Sequence, residues 1–292
     1  MFAILCSLGV LVAAAQAVQA APASPTVKPS YFTALWQLDR ETGAGAPFLA
    51  MHRSNYALVV SHNSSPNADP LLEVFPDATL LKTEFTFQLS FKARLWRDIF
   101  GKRVDLWFGF TQRAFWQSYD LQESAPFRET DYEPEALFNV RTRFEVLGLS
   151  ARFVQLGFNH QSNGRSRPLS RTWDRVVLNA GFEKGSLSLL LKTWYHFHHS
   201  YEETKNPGID RFMGPGEIWG YYFLKKHRLG IMLRDNLRLR GNRGAVQLEW
   251  SFPLLARVDG YVQCFLGYGE SLLDYDHRLS RIGIGFLLKD WD

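Results

Sequence analysis

From Thr83 to Leu95 the chain alternates without a break. Phe85, Phe87, Leu89, Phe91, Ala93 and Leu95 fall on one parity, and Glu84, Thr86, Gln88, Ser90, Lys92 and Arg94 on the other. A period of two is the period of a β-strand, whose successive side chains leave opposite faces, so this segment has one apolar and one polar face along its whole length. The pattern recurs. Within Ala136 to Val146, Phe138, Val140, Phe144 and Val146 oppose Asn139, Arg141, Arg143 and Glu145, and Val176, Leu178, Ala180 and Phe182 oppose Arg175, Asn179 and Glu183. Leu187–Tyr195, Val246–Phe252 and Ile282–Leu288 add further examples, in a chain that is 15% aromatic. A soluble sandwich and a membrane barrel both produce such strands.

The rest of the chain separates these two. Residues 1–20 carry an apolar run, Phe2 to Ala15, that ends in the small-residue site Val18-Gln19-Ala20, the pattern of a secretory signal peptide, although the start lacks Lys or Arg. Its removal takes Cys6 with it and leaves Cys264 as the only thiol, so no intrachain disulfide is expected in the mature protein. Downstream there is no run of about 18 apolar residues, which excludes a helical membrane protein. Residues 21–50 read as a leader, mobile over its Ala-, Pro- and Ser-rich first part, and residues 51–292 as one barrel domain.

The alternating segments number about twelve, beginning near residues 53, 82, 104, 136, 150, 173, 186, 217, 228, 243, 258 and 280. An even number suits a closed antiparallel barrel with both termini on one side. Short links, such as 147–150, 183–186, 225–228 and 253–257, alternate with longer ones, such as 118–135, 162–172, 198–216 and 268–279. Short inner turns and long outer loops are the asymmetry of outer-membrane barrels. The expected fold is therefore all-β, a 12-stranded antiparallel transmembrane β-barrel of the outer membrane. Glu84, Arg94, Arg141 and Arg143 are expected to fill its narrow lumen, which argues against a wide channel.

One stretch carries chemistry. Asn159-His160-Gln161-Ser162-Asn163-Gly164-Arg165-Ser166 is followed by Pro168, Ser170, Trp173 and Asp174. His160 and Ser162 share the parity of Val154, Leu156 and Phe158, so a base and a potential nucleophile leave the apolar, lipid-facing side of a strand. Polar groups facing hydrocarbon are expensive and point to function. Asp174 has the parity of Val176 and Leu178 and points outward from the following strand. Starting from an inner N-terminus, the fifth strand ends at His160 near the external leaflet. A His-x-Ser pair alone is usually coincidence, because a triad is defined by geometry rather than by adjacency.

Three blocks change that weighting: Glu123-Ser124-Ala125-Pro126-Phe127-Arg128-Glu129-Thr130-Asp131-Tyr132-Glu133-Pro134, the His160 block, and Gly267-Tyr268-Gly269-Glu270-Ser271-Leu272-Leu273-Asp274-Tyr275. From about residue 80 to its end the chain resembles outer membrane phospholipase A of Gram-negative bacteria. The resemblance implies a calcium-dependent enzyme, active as a homodimer, that hydrolyses sn-1 and sn-2 acyl esters of membrane phospholipids and lysophospholipids. It makes Ser162 the nucleophile, His160 the general base and Asp174 the group that orients His160, at a position where the family usually has Asn. It implies a Ca2+ site built from the backbone carbonyls of Ser124 and Arg165 and the hydroxyl of Ser170, with water, a donor set that suits a hard cation. A second, monomer-state calcium position is expected to be lost, because Arg167 and Lys205 stand where the family has carboxylates. Gln112 matches a glutamine at the family's dimer interface; its plainer alternative is an interfacial polar residue without a role.

The other features are weaker. His196, His198 and His199 suit a polar lining better than a metal site, since no second ligand group stands at a convincing spacing. The net charge of +4 is spread over the strands rather than gathered in a patch, and nucleic acid is not an expected partner. The alternative to a hydrolase is a non-catalytic barrel, structural or a small pore, whose triad has decayed at positions such as Asp174.

Overall fold

The computed structural model describes residues 30–39, 48–122, 126–197 and 205–289. The expected signal peptide, residues 1–20, lies outside them, as do Ser124, His198 and His199. A short β1 (Leu49–Met51) and β2 (Tyr56–Asn63) are followed by β3 (Thr83–Trp96), β4 (Val104–Trp116), β5 (Phe127–Val146) and β6 (Leu149–Ser162). Then come β7 (Thr172–Lys184), β8 (Leu187–Phe197), β9 (Gly216–Leu224), β10 (His227–Asp235), β11 (Gly244–Pro253), β12 (Val258–Tyr268) and β13 (Arg278–Leu288). Each strand from β2 to β13 pairs antiparallel with the next, and β13 pairs with β2, so twelve strands close and leave no edge. β1 continues the line of β2 along β3. Between the two, Asn55 replaces the missing ladder: its Oδ1 accepts from the Ser90 N–H at 2.6 Å and its Nδ2 donates to the Ser90 carbonyl at 2.9 Å.

The outer wall is apolar. Leu229, Ile231 and Leu233 of β10 face Trp250, Leu248 and Val246 of β11, and all six are exposed, as are Ile282, Ile284 and Phe286 of β13. In water such a surface would aggregate; in a bilayer it is the face that lipid solvates. Among the described residues no helix is long and apolar enough to cross a membrane, and the strands do the crossing. The links alternate as expected: the β5–β6 turn is Leu147-Gly148, both at positive φ, the geometry of a tight two-residue hairpin. Residues 163–171 and 236–243 belong to the long-loop end.

The lumen is charged. Glu84, Lys92, Arg128, Glu129, Asp131, Glu133, Glu135, Arg175, Glu249 and Arg281 are all buried there, mostly in ion pairs. Arg143 departs from expectation. The β5–β6 register shifts between Arg141 and Phe144, and the Arg143 side chain ends up 63% exposed at the rim instead of filling the lumen. The fourth barrel strand also begins at Phe127 rather than near 136. Its first half carries Glu129, Asp131, Glu133 and Glu135, all buried, around Pro134. Acidic content and a proline argue for a loop when no polar lumen is known to receive them.

Part of the expected leader is a packed element. α1 (Tyr31–Trp36) lies at the short-turn end, where the Phe32 N–H donates to Glu183 Oε1 at 2.7 Å. Phe32 and Trp36 join a buried cluster with Trp107, Leu137, Phe153, Trp173 and Trp194. Trp36 meets Trp107 edge-on at 5.6 Å, and the Lys92 ammonium sits 4.3 Å from the Trp36 ring centroid. Two one-turn helices, α2 (Asp69–Leu72) and α3 (Asp210–Met213), belong to the long loops.

Candidate active site

β6 and β7 run in register through the motif: Asn159↔Arg175, His160↔Asp174, Gln161↔Trp173 and Ser162↔Thr172. The period of two then sorts these residues by face. Asn159, Trp173 and Arg175 are buried toward the lumen, while His160, Ser162 and Asp174 leave the outer wall beside exposed Leu156, Phe158 and Leu178. Directly opposed outward pairs are within side-chain reach across antiparallel strands. His160 Nδ1 lies 2.6 Å from Asp174 Oδ1, with the His160 side chain 38% exposed.

A carboxylate accepts, so in the neutral imidazole tautomer that matches this contact Nδ1 donates to Asp174 and Nε2 is the acceptor. Ser162 is two residues along the same face, about 7 Å at the rise of a strand, a span that a serine and an imidazole side chain bridge by leaning toward each other. The structure brings His160 and Asp174 together, while no hydrogen bond joins His160 to Ser162, which lies on the same outward face. Such an arrangement can perform nucleophilic attack with general base assistance.

The loop after Ser162 is organised by Asn163. Its Oδ1 accepts from the N–H groups of Arg165 at 3.3 Å and Arg171 at 2.9 Å, and its Nδ2 donates to Leu169 O at 2.8 Å and Glu129 Oε1 at 2.9 Å. One side chain thus draws the two ends of the 163–171 loop together, with Gly164 at φ +65° making the turn. Of the expected calcium ligands, Arg165 and buried Ser170 stand at these two ends. Arg165 Nη2 donates to Phe127 O at 2.9 Å and Arg128 O at 2.6 Å, which ties the loop to the start of β5, just after the expected Ser124 carbonyl. The expected donors are neutral oxygens, and the buried carboxylate of Glu129 is engaged by Asn163 and, at 3.2 Å, by Arg165 Nε. Such a set fits a hard cation that keeps part of its water and gains little charge neutralisation from the chain.

Gln112 faces outward on β4 in the same band of the barrel. The register runs Leu89↔Gln112, Gln112↔Tyr132 and Tyr132↔Ser162, so two strand spacings, roughly 10 Å, separate Gln112 from Ser162. His196 does not join the site: it points inward on β8, and its Nδ1 is 3.1 Å from both Asp210 carboxylate oxygens. Sequence reasoning passed over the buried polar cluster behind the dyad, formed by Glu133, Asn159, Gln161 and Arg175. Its signal was present in the parity, since all four carry polar side chains on the inward register.

The phospholipase A1 family matches residues 32–288. A putative phospholipase A1 of Neisseria meningitidis serogroup B is 36% identical over 270 residues, covering 88% of this chain and 70% of that protein. Among solved structures, outer membrane phospholipase A from Escherichia coli superposes with a TM-score of 0.77 at 33% identity, over 82% of this chain and 91% of that one. A calcium-bound dimer of the Salmonella typhi outer membrane phospholipase gives a TM-score of 0.78 at 33% identity, over 84% of this chain and 93% of that one.

Proposed function

This chain belongs to the phospholipase A1 family of outer-membrane barrel hydrolases, and from that premise we propose that it is a calcium-dependent phospholipase acting through Ser162, His160 and Asp174. The observation that carries the reading is the 2.6 Å contact of His160 Nδ1 with Asp174 on the outer wall, one face and two residues from Ser162. A soluble or decayed barrel has no reason to hold a paired imidazole and carboxylate toward lipid.

His160 Nε2 takes the Ser162 Oγ proton as that oxygen attacks the ester carbonyl carbon of a phospholipid in the outer leaflet. Asp174 holds the Nδ1–H and stabilises the imidazolium as it forms. His160 then returns the proton to the leaving glycerol oxygen, which frees a lysophospholipid and leaves an acyl ester on Ser162. Water, deprotonated by the same nitrogen, attacks that ester and releases the fatty acid. A surface that already faces acyl chains presents the scissile ester to Oγ without extracting the lipid from the membrane.

The Arg165 carbonyl and Ser170 hydroxyl, with the Ser124 carbonyl, would hold calcium, which when bound would supply positive charge for the developing oxyanion. Because these donors bring little negative charge, a second copy docked on the Gln112 face is well placed to complete the site; the Salmonella typhi relative, a dimer with bound calcium, supports association and calcium binding. Dependence on association would keep the enzyme silent as a monomer in an intact membrane. The test is fatty-acid release from mixed phospholipid micelles by the refolded barrel. Release is expected with calcium, not with a chelator, and should fall by at least about a thousandfold in Ser162→Ala. A folded wild type that releases nothing in calcium would leave the non-catalytic barrel as the better account.

A further inference from the structure

We propose that Arg175 is a positioning residue, which holds the catalytic rung of β6 and β7 from inside the barrel so that His160 meets Asp174 and Ser162 together. The inference rests on the Ser162–His160–Asp174 reading.

The inward residues interleave with the outward ones. Asn159 and Gln161 flank His160 on β6, and Trp173 and Arg175 flank Asp174 on β7. All four end in one knot. Arg175 Nη2 donates to Asn159 Oδ1, to Gln161 Oε1 at 3.1 Å and to Glu133 Oε1 at 3.2 Å. Trp173 Nε1 donates to the same Gln161 oxygen at 2.9 Å, and the Arg175 guanidinium lies 3.9 Å over the Trp173 ring. Asn159 Nδ2 donates to Glu133 Oε1 at 2.7 Å, which carries the knot across to β5.

The backbone makes this knot necessary. On the β5 side of the catalytic strand the paired residues pass from Tyr132↔Ser162 directly to Glu135↔Asn159, skipping Glu133 and Pro134. Proline has no N–H to give a ladder, so the positions opposite Gln161 and His160 lack regular pairing on that flank. There the side-chain bonds of Glu133 and Arg175 stand in for the backbone. A strand free to rotate at this point swings the imidazole on a lever of several ångströms, and a misplacement of about 1 Å is enough to lower the rate by roughly a hundredfold. Although the Arg175 Nε has no partner among the described residues, the bonds from its Nη2 to β5 and β6 restrict that rotation.

Arg53 supplies the contrast. Its guanidinium reaches the same Glu133 at 2.6 and 2.9 Å, and Glu135 at 2.7 Å, from the segment between β1 and β2. Those bonds go to β5 and not to the two catalytic strands. Loss of either arginine removes a buried cation from one carboxylate, but only Arg175 holds β6 to β7.

The experiment compares Arg175→Met, Arg175→Lys and Arg53→Met with wild type and Ser162→Ala, each as the full barrel refolded in detergent with calcium. Folding is checked by heat-modifiable migration, and kcat and KM are measured on phospholipid micelles. Arg175→Met is expected to lose about a hundredfold in kcat with KM within about threefold, and Arg175→Lys to regain about tenfold. Arg53→Met should unfold at lower temperature while keeping kcat within about twofold of wild type. A folded Arg175→Met with wild-type kcat overturns the inference, and so does an Arg53→Met that loses as much kcat, since the knot would then be a stability element alone. Should Arg175→Met fail to fold, Gln161→Met, which removes the arginine's acceptor between His160 and Ser162, decides the matter: a kcat loss at constant KM supports positioning, and an unchanged kcat overturns it. Wild type no more active than Ser162→Ala would sink the catalytic reading itself, a result distinct from any behaviour of Arg175.

Discussion

At the scale of residues, the dyad was readable because a strand obeys parity. His160, Ser162 and Asp174 share the outward register with leucines and phenylalanines, and the structure opposes His160 and Asp174 across β6 and β7. The identity of the third group has a testable consequence. If Asp174 acts mainly by accepting a hydrogen bond from the Nδ1–H, Asp174→Asn, whose amide oxygen still accepts, should keep kcat within about tenfold, whereas Asp174→Ala should lose about a hundredfold or more. Equal losses in micelle assays would assign the work to the carboxylate charge. The knot behind the dyad was not readable in the same way. Asn159, Gln161 and Arg175 look like ordinary lumen residues until the register shows that one guanidinium meets both amides.

Elements were legible wherever both faces had a plain chemical character. β3, with apolar residues against Glu, Thr, Gln, Ser, Lys and Arg, lies within a residue of its expected start. β5 is longer than its apolar alternation implies because Glu129, Asp131, Glu133 and Glu135 around Pro134 look like a loop until Arg165 and Arg53 pair with three of them and the Leu272 N–H donates to Asp131. The α1 helix was hidden for a related reason: six residues are too few for a helix to declare itself, and its stability comes from the barrel that receives it. Trp36→Ala should therefore weaken the fold by about 3 kcal/mol, since it empties a buried site between Trp107 and Phe153 and strips Lys92 of its ring. Thermal or urea unfolding in detergent measures this, with fatty-acid release per folded molecule expected to persist because the helix lies at the end remote from Ser162.

Across the whole molecule, solvent is inverted: hydrocarbon meets the outer wall, and the charges turn inward in pairs. Ile284, outward in the middle of β13 and 55% exposed, tests this directly. Ile284→Arg should lower stability in a bilayer by about 2–4 kcal/mol, whereas Leu239→Arg, at a fully exposed position of the 236–243 loop, should shift it by less than about 0.5 kcal/mol. Similar effects at the two positions would mean that β13 does not face lipid. The same inversion places the dyad, the 163–171 loop and Gln112 in one band of the outer wall, so chemistry, the proposed cation and the proposed association share a surface.

By itself the sequence determined the barrel, its alternation of short and long links and the outward placement of His160, Ser162 and Asp174, because each follows from a two-residue period that the chain carries locally. The tertiary structure alone decided the lumen: that α1 fills one end, that acidic β5 is a strand, that Arg143 leaves the interior, and that Arg175, Glu133 and Asn159 meet behind the dyad. Those outcomes depend on which charges from distant strands face one another when the sheet closes, and closure is a property of the whole ring that no single strand encodes.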